Sequence, residues 1–130
     1  MERTKIPATG PIGDLFAFST AVRVGDRVWL SGAVGFDHDG KLVGPDQPYE
    51  QARQALANLK GALESVGASL ADVVATRIYV LDAKAWRDIG RAHGEAFKDV
   101  RPAATLVEVR ALLGPGMLVE IEAEALVRTP

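Results

Sequence analysis

The chain has no cysteine at all. That excludes disulfides, thiolate nucleophiles and cysteine metal sites. Aromatic residues make up only 6% of it and histidine occurs twice. No apolar run approaches the ~18 residues a membrane helix needs, and the N-terminus lacks a signal-peptide pattern. There is no excess of basic charge either. The net charge is −2 and the pI is about 5.7. Such a chain has no general attraction to nucleic acid or to an anionic membrane. What remains is ordinary globular composition, 48% hydrophobic and 25% charged over 130 residues. Residues 1–130 are therefore expected to form one domain around one core, in a soluble cytoplasmic protein.

The most informative stretch lies near the C-terminus. Arg101–Val109 and Met117–Val127 flank Gly114-Pro115-Gly116 and read as two antiparallel strands joined at that turn. From Met117 onward the odd positions Val119, Ile121, Ala123, Ala125 and Val127 are apolar, whereas Glu120, Glu122 and Glu124 alternate with them. Side chains alternate across a strand, so one face belongs to a core and the other carries carboxylates in file. Like charges so close repel unless the face is wet or meets cations. That face is either a solvated surface or the wall of a polar cleft.

Taken in order, residues 1–17 hold two prolines and two glycines and read as an irregular arm or short edge strand. Phe18–Val24 and Arg27–Ser31 flank Gly25-Asp26, a hairpin signal, with Ser31-Gly32 ending the second strand. Residues 35–48 read as loop. Asp37, Asp39 and Gly40 resemble the start of a calcium loop, but the later ligands are missing and a tight turn is the better reading. In Pro48–Val66, Tyr49, Ala52, Leu56, Leu59, Leu63 and Val66 recur at helical steps, with proline at the start and Gly67 at the exit. Ser69-Leu-Ala-Asp72 has capping-box spacing before a β-branched strand, Val73–Val80. There Val74, Thr76, Ile78 and Val80 should share one face. Asp82 is a fair N-cap for a second helix to about Phe97, on which Trp86, Ile89, His93 and Phe97 form a stripe.

The order β-β-α-β-α-β-β, with a possible extra N-terminal strand, predicts an α+β fold: a mixed sheet with two helices packed on one face. The opposite sheet face then stays uncovered in a monomer. Glu120 and Glu122 lie there, with Arg23 or Arg77 as possible neighbours. Such a half-apolar face suits an oligomer interface or open water. Arg101 precedes a proline and should be extended, near a strand entrance. His38 is a loop residue. Two histidines so differently placed give no ligand spacing, so no metal site is expected.

Several motifs together resemble the Rid (YjgF-like) family. They are Gly25-x-x-Val-Trp-Leu-Ser-Gly32, Gln51-Ala-Arg-Gln-Ala-Leu-Ala-Asn-Leu59, Gly67-Ala-Ser-Leu-Ala-Asp-Val-Val74, Arg101-Pro-Ala-x-Thr-x-Val-Glu-Val109 and Val119-Glu-Ile-Glu-Ala123. The likeness covers nearly the whole chain in order. It implies a chorismate-mutase-like fold, a homotrimer with small-molecule clefts between subunits, and cofactor-free hydrolysis of reactive imines or enamines. Carried over residue by residue, it places Glu120 as the water-positioning acid and keeps Ser31 and Thr105 at the cleft. The substrate-carboxylate arginine of the active deaminases falls at Ala104. The cleft tyrosine falls at Phe18, the helix asparagine at Gly90, and the position after the motif threonine at Leu106. His93 is either a satisfied, partly buried histidine or a cleft proton donor. The resemblance thus implies a divergent subgroup that keeps the fold and the acid but not the carboxylate clamp. A non-catalytic small-molecule binder on the same scaffold is the alternative.

Overall fold

The computed structural model describes residues 1–128. It contains strands β1 (Arg3–Pro7), β2 (Ser19–Val24), β3 (Arg27–Val34), β4 (Val73–Val80), β5 (Ala103–Glu108) and β6 (Val119–Leu126). Its helices are α1 (Gly10–Phe16), α2 (Pro48–Ser65) and α3 (Trp86–Phe97). The strands form one mixed sheet in the order β1-β2-β3-β6-β4-β5. Neighbours are antiparallel except β4 and β5, which run parallel. The fold is therefore α+β, as the patterning predicts, and the N-terminal arm supplies both an edge strand and the short α1.

Each long helix forms for reasons visible in its residues. Pro48 occupies the first turn of α2, where its missing N–H costs nothing. The stripe Ala52, Leu56, Leu59 and Leu63 is buried against the sheet. The exit is a Schellman closure: Ala68 N donates to Leu63 O (2.9 Å) and Gly67 N to Glu64 O (3.1 Å). Gly67 takes the left-handed φ of 78° that this closure requires. Before β4, Ser69 and Asp72 form the expected capping box around one 3₁₀ turn. Asp82 accepts from Lys84 N (2.9 Å) and caps a further 3₁₀ turn that leads into α3. The two long helices are tied together where Tyr49 Oη donates to Glu95 Oε1 (2.6 Å).

The structure corrects several expectations. The strands flanking Gly114-Pro115-Gly116 are not a hairpin: β6 lies between β3 and β4, and β5 pairs with the far side of β4. A turn signal is local, whereas β6 wins its place by burying Val119, Ile121, Ala123 and Ala125 in the sheet centre. Strand β3 does not end at Ser31-Gly32 but passes through a bulge between Leu30 and Ala33. A second irregularity, between Val73 and Ala75, turns Val73 inward and leaves Val74 exposed. Trp86 stands 54% exposed under the guanidinium of Arg87, outside the stripe, whereas Ile89 and Phe97 bury as expected and Ala92 joins them. Arg23 leaves the uncovered face and donates from Nη1 to Val66 O (2.7 Å) at the end of α2. Arg101 is not extended. It takes φ 54°, and its N–H closes α3 on Phe97 O (2.8 Å).

Candidate functional site

Pairing register assigns the side chains to the two sheet faces. On the uncovered face three rows cross the sheet. One runs Val34, Glu120, Tyr79 and Val107; the next holds Glu122, Arg77 and Thr105; the third runs Trp29, Glu124, Ala75 and Ala103. Ser31 and Gly32 occupy the bulge opposite Glu122.

The carboxylates in this file are not equivalent. Arg77 spans two of them, with Nε 3.0 Å from Glu122 Oε1 and Nη1 3.1 Å from Glu124 Oε2. The Tyr79 hydroxyl also donates to Glu122 Oε1, and that bond holds the phenol above its ordinary proton affinity. Glu122 and Glu124 thus act as ion-pair partners of a neighbouring strand. Glu120 has no hydrogen-bond or ion-pair partner among the described residues. Burial, and then the charge of Glu122, push its carboxyl above the usual carboxylate range. Gly32 makes this placement possible, because a side chain there would fill the space taken by the Glu120 carboxyl. A depression of about 240 Å³ opens further along the file, lined by Ser31, Trp29, Arg77, Glu122 and Glu124.

The other positions implied by the resemblance divide between the two faces. Ser31 is near Glu122, but its hydroxyl donates to Ser19 O (2.6 Å) and is committed to the backbone. Phe18 precedes β2, 37% exposed, and meets Phe16 edge-on at 6.4 Å. Thr105 shares the uncovered face, opposite Arg77. Ala104 and Leu106 point the other way, opposite the buried Thr76 and Ile78. On that helix side His93 Nε2 lies 2.9 Å from Thr76 Oγ1 and its ring centroid 4.7 Å from that of Phe97. Burial lowers the proton affinity of His93. Gly90 is exposed on α3 with open space around it. Within one chain, then, Glu120, Ser31 and Thr105 stand on one side of the sheet and Ala104, Leu106 and His93 on the other.

Two supporting residues have roles that their motifs alone do not assign. Gln51, fully buried, donates to Gly44 O (3.2 Å) and Gly116 O (3.0 Å) and accepts from Leu118 N (2.8 Å). It fixes the turn that delivers β6, and a polar residue inside an apolar stripe is its only sequence signal. Gly32 is the other, and a glycine within a strand pattern does signal a bulge or close approach. Among the described residues no three His, Asp or Glu side chains group as metal ligands, and no helix is long and apolar enough to cross a membrane.

A six-stranded mixed sheet backed by two helices, with a carboxylate file on its bare face, defines an α+β class whose members can be compared directly. The family described as Endoribonuclease L-PSP matches residues 11–127, and the chain belongs to it; this is the YjgF/RidA family its motifs resemble. The chain is similar to Rv2704 of Mycobacterium tuberculosis, a YjgF/YER057c/UK114 family member, at 42% identity. That structure superposes with a TM-score of 0.87, covering 97% of this chain and 100% of the other. A RutC family protein of Pyrococcus abyssi is 34% identical over 91% of this chain and 90% of its own length. RidA from an Antarctic Psychrobacter species is 32% identical, with TM-score 0.79, covering 95% of this chain and 94% of its own.

Proposed function

We propose that this protein assembles as a homotrimer, binds a small metabolite in clefts between subunits, and hydrolyses an imine or enamine without a cofactor. In this reading Glu120 holds the attacking water and relays its proton. The water oxygen adds to the C=N carbon, and the nitrogen leaves as ammonia once protonated, giving a carbonyl compound. Phe18, Ser31 and Thr105 line the acid's side of the cleft. Gly90, His93, Ala104 and Leu106 line the other side, contributed by a neighbouring copy.

One observation carries the reading. Glu120 is the carboxylate of the file left without a partner, half-buried and raised in proton affinity, while Arg77 and Tyr79 occupy its neighbours. A carboxyl group raised in this way by burial and by Glu122 is suited to hold and return a proton. The division of the remaining positions between two sheet faces supports the assembly, since one cleft can gather them only from two copies. Membership in the YjgF/RidA family supports a small-molecule-binding or imine-deaminase-type role. At the carboxylate file itself three glutamates surround Arg77, which is already paired with two of them, and this disfavours an RNA backbone as the ligand there.

Two experiments test this. Sedimentation equilibrium should give three times the monomer mass at micromolar concentration, and a stable monomer would remove the cleft. Single-turnover hydrolysis of a panel of imines should show ammonia release. Saturable binding of the same compounds with no turnover would favour the non-catalytic alternative.

A further inference from the structure

A cavity of about 300 Å³ opens on the helix side, at the C-terminal end of α3, and shares His93 with the proposed cleft. It is lined by His93, Gly94, Phe97, Lys98, Arg101 and Pro102. No carboxylate lines it. Phe97 and Pro102 give it an apolar wall, with the His93 ring stacked obliquely on Phe97. Its cations are Lys98 and Arg101, neither with an ion-pair partner among the described residues. Phe97 O already accepts from both Val100 N (2.9 Å) and Arg101 N (2.8 Å), so the helix end does not occupy them.

The backbone here is held against preference. Arg101 sits at φ 54°, a region costing a non-glycine residue about 1–2 kcal/mol, and it does so immediately before a proline. The double closure on Phe97 O and the rigid Pro102 fix that conformation, and it sets Arg101 at the mouth of the cavity. A guanidinium beside an apolar wall matches an organic acid in both parts: the fork grips the carboxylate bidentately and the wall takes the hydrocarbon.

We propose that this cavity binds the carboxylate of a small organic acid with an apolar body, gripped by Arg101 and attracted by Lys98. The inference deepens the proposed function and rests on it in one respect, that the acid is the substrate. Arg101 precedes Ala104 by three residues and lies outside β5, which begins only at Ala103. The substrate's carboxylate would then lie several bonds from the C=N carbon rather than adjacent to it, which accords with a methyl group at Ala104.

The test uses the full-length protein and phenylacetate as probe, followed by amide chemical shifts and calorimetry. Phenylacetate should shift amides of residues 93–102, and added salt should weaken it. Arg101→Asn, whose side chain tolerates positive φ, should weaken binding about tenfold or more. Arg101→Lys, keeping charge without the fork, should weaken it several-fold, and Arg110→Gln, outside the cavity, not at all. No saturable shifts, equal affinity in both Arg101 variants, or equal Arg101-dependent binding of inorganic phosphate would overturn the proposal. Glu120→Gln separates this inference from the reading it rests on: it should bind phenylacetate normally. Phenylacetate binding without imine hydrolysis by the wild type sinks the activity and leaves the pocket; hydrolysis without phenylacetate binding does the reverse.

Discussion

The carboxyl group of Glu120 lies over Gly32. A Cβ built on Gly32 would fall 2.8 Å from both Cγ and Cδ of Glu120. The atoms in the way are the far end of a flexible side chain, so the sheet can absorb a methyl group by moving Glu120 aside. Gly32→Ala should therefore change stability by only about 0.5 kcal/mol, as for an ordinary surface substitution. It should nonetheless lower turnover or ligand affinity nearly as much as removing the acid. A combined unfolding and activity measurement checks this; a large loss of stability with unchanged activity would refute it.

Two groups should shape stability against pH with opposite signs. The Glu120 carboxyl is raised above its ordinary value of 4.5 by burial and then by Glu122. The folded state binds that proton more tightly, so this contribution is full below 4.5 and is lost as pH rises through the folded value. His93 is lowered from 6.5 by burial. Below 6.5 the unfolded chain takes up that proton first, so stability falls with pH until the folded histidine also protonates. Thermal melts should show Glu120→Gln gaining on the wild type as pH rises from 4.5 to 7. His93→Gln should flatten the loss below 6.5. Parallel pH profiles for all three proteins would contradict both assignments.

Arg77 holds Glu122 and Glu124 at 3.0 and 3.1 Å. Its side chain is 43% exposed, so solvent screens these pairs. Arg77→Met would leave the carboxylate file without its cation. The expected cost is up to about 1 kcal/mol in urea unfolding at low salt, shrinking as salt screens the repulsion. A cost independent of salt would mean that packing, and not charge, is the role of Arg77.

Ala104 offers a methyl group where the active deaminases of the resemblance carry an arginine. A methyl group cannot grip a carboxylate. Simple 2-imino acids such as iminobutyrate should thus be hydrolysed weakly or not at all. Coupled assay of freshly generated iminobutyrate decides this, and ordinary deaminase rates would refute it.

Much of this was legible in sequence for physical reasons. Period-two alternation identified Val119, Ile121, Ala123 and Ala125 as the buried side of β6, and they are. The helical stripe of α2 and the capping box at Ser69 are equally local and equally clear. Strand pairing is not local. Nothing in Gly114-Pro115-Gly116 tells that β6 will insert between β3 and β4. Arg101 misled because a proline disfavours the α region for the residue before it, whereas the helix closure on Phe97 O prevails here. Trp86 misled because Ala92 is small and easily overlooked as a core position, yet it is the residue that buries. The distinction among Glu120, Glu122 and Glu124 depends on which one Arg77 and Tyr79 reach, and only the register of β4 against β6 reveals that.

The role of Glu120 is tested most directly by comparing Glu120→Gln with Glu124→Gln on the same substrate or ligand. Both keep side-chain size, and both change one carboxylate of the same file. Glu120→Gln should lower single-turnover rate or affinity by tenfold or more, about 1.4 kcal/mol, with assembly unchanged and no loss of melting temperature. Glu124→Gln should stay close to the wild type. If the two variants behave alike, or if Glu120→Gln merely breaks the oligomer, Glu120 is a structural carboxylate and the account fails.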